Sequence, residues 1–189
     1  MALTTAQQTS LRNSVNADGT LNTLPHNSDS AQQIADVYNA TDASNTSVWW
    51  TAADVNKIFD AITWANFTPN DAADSTVTYS NRSLNIQTKQ MNLQNMLVGR
   101  ATVNAALVNF RAGIRDAVIN LPSGTAGAPV SAGGASGATV LTACIRPTTA
   151  TKMEKLVSAG PSTTGTVTAD VLTFEGRLSY QDVMTAMQW

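Results

Sequence analysis

NRSLNIQTKQMNLQNMLVGRATVNAALVNFRAGIRDAVINL, residues 81–121, is the longest stretch of this chain with helical periodicity. Ile86, Leu93, Met96 and Leu97 form one apolar stripe. Leu107, Phe110, Ile114, Val118 and Leu121 form a second. Gly99 and the β-branched pair Thr102–Val103 interrupt them, so the spacing predicts a break near residues 99–104. The outcome is either two helices packed together or one kinked helix. Pro122 ends the region.

Working outward toward the N-terminus, Thr4 with Gln7 reads as a capping box for a helix carrying Leu11 and Val15, stopped by Gly19. Ser30 with Gln33 predicts a second helix to about Asn39, with Ile34, Val37 and Tyr38 on one face. Thr51 with Asp54 predicts a third, bearing Val55, Ile58, Phe59 and Ile62 and flanked by Trp49, Trp50 and Trp64. The polar run 69–80 reads as an exposed loop.

Toward the C-terminus, PSGTAGAPVSAGGASGA (residues 122–138) has five Gly and two Pro, a long segment of the kind that is flexible or functional. Helices are predicted over Thr139–Ile145 and from Thr151, capped with Glu154, to Gly160. Residues 166–174 alternate Thr with Val and Phe and read as strand, with Gly176 as turn or bulge. Ser179 and Asp182 cap a last helix carrying Val183 and Met187. The fold class expected is mainly α, a helical bundle with a small C-terminal β-hairpin. As one domain it comprises a helical core (1–121), a Gly-rich loop (122–138) and a C-terminal part (139–189) packed on the core.

Charge is sorted along the chain. The first 75 residues hold eight Asp against Arg12 and Lys57. Between Asp74 and Asp116 there is no acidic residue and five basic ones: Arg82, Lys89, Arg100, Arg111 and Arg115. The net charge of -2 thus divides into roughly -6, +5 and -1. Such sorting suits head-to-tail contact between copies or docking on a charged partner, because complementary potentials orient association. Lys89, Arg100 and Arg111 are spaced by eleven, which would align them on one side of an unbroken helix. A sequence pI near 5.2 argues against binding free DNA, where values above about 9 are usual. Weak contact with DNA passing through a channel remains compatible, as does plain exposure.

The residues that chemistry needs are sparse. His26 is the single histidine and sits beside Pro25. Cys144, in VLTACI, reads as a small buried hydrophobe. One Cys and one His cannot supply tetrahedral zinc ligation. Asp71 and Asp74 form a loop pair read as solvated, and Gly133–Gly137 lacks the Lys-Ser/Thr of a phosphate-binding loop. No catalytic set, cofactor site or metal site is expected. No apolar run reaches the roughly 18–20 residues that span a bilayer, and MALTTAQQTSLRN has neither the basic start nor the apolar run of a signal peptide. Trp49 and Trp50 read as core beside an amphipathic helix, with an exposed anchor as the alternative.

Four blocks, NSDSAQQIADVYNA (27–40), SVWWTAADVNKIFDAITW (47–64), TVNAALVNFRAGIRDAV (102–118) and LTFEGRLSYQDVMTA (172–186), resemble in order and spacing a family of tailed-bacteriophage virion proteins from the head and head–tail genes. The resemblance implies a structural protein, an adaptor ring subunit beneath the portal. Ring partners would be copies of the chain, in a dodecamer, with portal and tail or nozzle proteins above and below. Its place would be the head–tail junction of the virion, assembled in host cytoplasm without membrane contact. Arg82, Lys89, Arg100, Arg111, Arg115, Trp49 and Trp50 are then the expected interface or channel residues. A capsid decoration or minor head protein is the alternative, and a phage enzyme a distant third.

Overall fold

The computed structural model describes residues 2–67, 79–119 and 135–189, and the chain is mainly α-helical. In chain order the elements are α1 (Thr5–Ala17), α2 (Ser28–Asn39), β1 (Ala53–Asp54), α3 (Val55–Asp60), α4 (Tyr79–Leu97), β2 (Thr102–Val103), α5 (Val108–Val118), α6 (Ala135–Ala143), α7 (Lys152–Leu156), β3 (Gly160–Thr164), β4 (Val167–Val171) and α8 (Tyr180–Met187). Strands β1 and β2 pair antiparallel, with Ala53 opposite Val103, and β3 pairs with β4 in a second two-stranded sheet. Contacts group the chain into two compact units, each assembled from separate stretches of sequence.

The first unit comprises Met1–Val48, Pro147–Pro161 and Asp170–Trp189. Its helices begin where side chains satisfy the otherwise orphaned backbone N–H groups. Capping boxes start α1 (Thr4/Gln7), α7 (Thr151/Glu154) and α8 (Ser179/Asp182), as their spacing predicts. Helix α2 starts two residues earlier than expected, because Asn27 rather than Ser30 accepts the cap bond. Ser30 is itself buried.

Helix α8 packs against α1 and α2, so the last segment of the chain closes a core made by the first. Leu11, Val15, Ile34, Tyr38, Met153 and Val183 are central to it. Polar side chains fix the register of this closure. Asn39 donates to Leu178 O at 2.9 Å and accepts from Leu178 N–H at 2.7 Å. Arg12 Nε donates to Ala186 O at 2.7 Å, and Gln7 Nε2 to Thr173 O at 3.0 Å. His26 stacks on Trp189 with ring centroids 4.6 Å apart. Glu154 is buried, where its carboxylate accepts from the N–H groups of Thr151 (2.9 Å) and Gly176 (3.3 Å).

The second unit comprises Trp49–Arg146 and Ser162–Ala169. Here the expected break is present, as two helices and not one kinked helix. Helix α4 ends at Leu97, Gly99 takes φ 79°, and β2 precedes α5. The eleven-residue alignment of Lys89, Arg100 and Arg111 therefore does not exist, since one unbroken helix does not join them. Helix α5 packs on both α4 and α6, and α3 also packs on α6. Leu93, Leu97, Ile58, Ile114 and Leu141 are fully buried among them.

Three local expectations need correction. Asp54, not Thr51, caps α3 by accepting from Asn56 N–H at 2.8 Å, because Ala53 and Asp54 are extended against β2. Helix α6 begins at Ala135, inside the segment 122–138 read as loop. The hairpin turn falls at Gly165 (φ 60°), not at Gly176, so the strands start earlier than residue 166. The Gly-rich stretch up to residue 134 and the polar stretch 68–78 lie outside the described residues.

Candidate interaction surface

The five basic residues of the middle region have separate environments in the second unit. Arg111 projects from α5 into the interior and is 0% exposed. Its guanidinium donates from Nε to Thr164 Oγ1 (3.0 Å) and from one terminal nitrogen to the carbonyls of Ala105 (2.7 Å) and Ala106 (2.8 Å). The other terminal nitrogen donates to Ser162 Oγ (2.6 Å). The indole face of Trp49 lies 4.3 Å from the guanidinium carbon, a cation–π contact. Burial lowers the guanidinium pKa. The planar fork reaches two carbonyls and two hydroxyls at once, an arrangement open to Arg and not to Lys.

Lys89 is half-buried and donates from Nζ to Ile119 O (3.0 Å) and to Asp116 O. It neutralises the negative end of α5. It also lines a cavity of about 300 Å³ with Asn92, Asn95, Met96, Gly113 and Asp116. Arg115 is half-buried, its side chain passing over Gly165. A Cβ there would come within 2.8 Å of Arg115 Nε and would push that flexible side chain aside, while the positive φ of 60° is what favours glycine. Arg100 is exposed. Arg82 lies in α4, and its side chain is outside the described residues.

Arg111 thus cannot meet a neighbour or line a channel in this fold, and that part of the expectation is withdrawn. Trp49 is withdrawn with it: the ring is 0% exposed, and its indole N–H donates to Ser162 O at 2.8 Å. The core reading of Trp49 holds. Trp50 is half-buried, with Lys57 Nζ 5.5 Å from its ring centroid. Its backbone ties two segments together, donating to Cys144 O (3.0 Å) and accepting from Ala105 N–H (2.9 Å).

Cys144 is fully buried, and burial pushes its thiol pKa up to about 12. The thiolate is the nucleophile, so at neutral pH this side chain is inert as well as hidden. We expect no labelling by a thiol-reactive disulfide reagent in the folded chain and one equivalent in denaturant. Rapid native labelling would contradict the burial. Among the described residues no group of three or more His, Cys, Asp or Glu could hold a metal ion. No helix among them is long and apolar enough to cross a membrane.

Sequence reasoning missed the outward face of α4. Leu84, Met91 and Val98 are 63%, 60% and 65% exposed. At about 100° per residue these positions fall within roughly 40° of one another, and Ile86, Leu93 and Leu97 lie on the opposite, buried side. Val98 follows the helix but continues its hydrogen bonding, donating to Gln94 O at 2.8 Å. The intervening residues described as exposed, Gln87, Thr88, Asn92, Gln94 and Asn95, are all uncharged. The two charges of α4, Arg82 and Lys89, occupy positions about 140–160° round the helix from Leu84. A recurrence at seven residues was the available signal. The stronger Ile86/Leu93/Leu97 stripe masks it, because the two stripes are interleaved. No protein-family model, no curated protein and no solved structure matches the chain.

Proposed function

We propose that this chain is a non-enzymatic structural subunit of a tailed-phage virion, a head–tail connector or adaptor whose copies form a ring, in all twelve, joining portal to tail around the DNA channel. The observation that carries the reading is the outward face of α4. A water-facing helix ordinarily carries Glu and Lys at outward positions, but this one presents three large aliphatic side chains among uncharged amides and hydroxyls. Such a face suits a surface covered in an assembled state. The four sequence blocks that resemble head and head–tail proteins supply the class of assembly. Within it, the α1, α2 and α8 packing reads as the bundle of the subunit.

Arg100 and Arg82 remain candidates for weak, non-specific contact with DNA in the channel. Arg115, Lys89 and Trp50 remain candidates only for the fraction of each that reaches solvent. Its place would be the head–tail junction, reached by assembly in the host cytoplasm, with portal and tail or nozzle proteins as neighbours and no cofactor.

The burial of Arg111 and the half-burial of Lys89 and Arg115 favour a second reading, capsid decoration, because a decoration protein needs no basic channel wall. Native mass measurement of the purified chain mixed with portal distinguishes them. A complex with twelve copies supports the adaptor, and binding to empty, tail-less shells supports decoration. A chain that binds neither overturns the virion assignment.

A further inference from the structure

Asp18 is followed by Gly19, and of the eleven Asp in the sequence it is the one that precedes glycine. The backbone nitrogen of the following residue can attack an Asp side chain, and glycine, lacking a Cβ, hinders that attack least. Both residues are exposed in the turn that leaves α1, and a Cβ built at Gly19 meets nothing within 4 Å. What opposes the attack is local geometry. Asp18 Oδ1 accepts from the N–H groups of Thr20 and Leu21, each at 2.9 Å, which pins the carboxylate over the 3-10 turn Leu21–Thr23. Ring closure requires Asp18 Cβ and Gly19 N to eclipse one another, which in an L-residue means a ψ of about −120°. The observed ψ is 118°, so the turn must open and rotate by about 120° before the atoms meet. The Leu21 and Thr20 N–H groups also hold the carboxyl below its usual pKa range, and only the protonated carboxyl readily sheds water.

We infer that Asp18–Gly19 is an isoaspartate-forming site that the folded turn keeps closed, so that covalent change there marks a chain whose turn has opened. Gly19 N adds to Cγ of the protonated Asp18 carboxyl. The N–Cγ bond forms, the Cγ–OH bond breaks, and the amide proton leaves with the hydroxyl as water. Water then hydrolyses the five-membered succinimide. Cleavage between Cγ and the nitrogen restores Asp18, whereas cleavage at the former main-chain carbonyl leaves isoaspartate. Nothing is oxidised or reduced. In the product the main chain runs through Cβ and Cγ and is one methylene longer. The side-chain carboxylate no longer sits where Thr20 and Leu21 donate, and Asn22 N–H loses the Asp18 carbonyl that accepts from it at 3.1 Å. Leu21 belongs to the core with Leu11 and Val15, so the altered turn cannot restore the original cap on a core residue.

The full chain tests this in two states, folded in neutral buffer and unfolded in guanidinium chloride, both held at physiological temperature for weeks. Proteolysis followed by electron-transfer fragmentation tells isoaspartate from aspartate at each position. Isoaspartate at residue 18 should accumulate in the unfolded chain, and at least about tenfold more slowly in the folded one, because two hydrogen bonds to a charged group must break first. Gly19→Ala should fold like the parent, since Gly19 does not take a positive φ and the added Cβ has open space. Unfolded, that variant should be marked severalfold more slowly than the parent, because the Cβ crowds the attacking nitrogen. Equal rates in the folded and unfolded parent chain overturn the closed turn. No more isoaspartate at Asp18 than at Asp29 or Asp36 in the unfolded chain overturns the site itself. Unfolded Gly19→Ala marked as fast as the parent overturns attack by the Gly19 nitrogen.

Discussion

Arg111→Ala is expected to lower the stability of the folded chain by about 3–5 kcal/mol, and to do so with or without assembly partners. The substitution removes four hydrogen bonds at once. Ser162 and Thr164 lose the guanidinium donor to their hydroxyls, as do the carbonyls of buried Ala105 and half-buried Ala106. It also opens a cavity against Trp49, whose ring the guanidinium covers. For a chain of 189 residues this corresponds to a fall in melting temperature of roughly 6–20 °C. Arg111→Lys keeps the charge but offers a point ammonium in place of a planar fork, and should recover less than half of the loss. Thermal and urea unfolding followed by near-UV circular dichroism, which reports on the tryptophans, measures both. An Arg111→Ala chain with parental stability but failed assembly would show the side chain acting at a surface and refute its internal role.

That expectation reverses what the charge pattern alone suggests, and the reason is instructive. A run of basic residues in sequence says nothing about where each side chain goes. Arg111, Lys89 and Arg115 lie within 27 positions of one another, yet one binds carbonyls in the interior, one caps α5 and one passes over Gly165. Arg111 has its hydroxyl partners at Ser162 and Thr164, about fifty residues further on. No local pattern links those positions, because the pairing depends on a hairpin returning to α5.

Local chemistry, by contrast, is well recorded in the sequence. The boxes Thr4/Gln7, Thr151/Glu154 and Ser179/Asp182 each involve two side chains three residues apart, so spacing suffices to find them. Prediction slipped where a second segment altered a boundary. Asp54 caps α3 in place of Thr51 because β2, some fifty residues away, holds Ala53 and Asp54 extended. Similarly, Leu84, Met91 and Val98 are hidden from periodicity, because a helix with apolar residues on two sides has no single face to detect.

Trp49 offers the second large effect and an internal check on the first. The ring is the bulkiest among the fully buried side chains of the described residues, and Trp49→Ala should cost about 3–5 kcal/mol from lost burial and the cavity left behind. Trp49→Phe separates two contributions: it keeps most of the apolar volume, loses the indole bond to Ser162 O, and presents a weaker π face to Arg111. Its cost should be about 1–2 kcal/mol. Because Ser162 accepts from both Trp49 and Arg111, through its carbonyl and hydroxyl respectively, the two side chains share a partner as well as a stacking contact. Their effects should not add. The double variant Arg111→Ala with Trp49→Phe should be less destabilised than the sum of the singles, by about 0.5–2 kcal/mol. Urea midpoints of the four chains of this cycle measure that coupling. Strict additivity would mean that the guanidinium and indole stabilise the fold independently, and that the stacked geometry contributes nothing of its own.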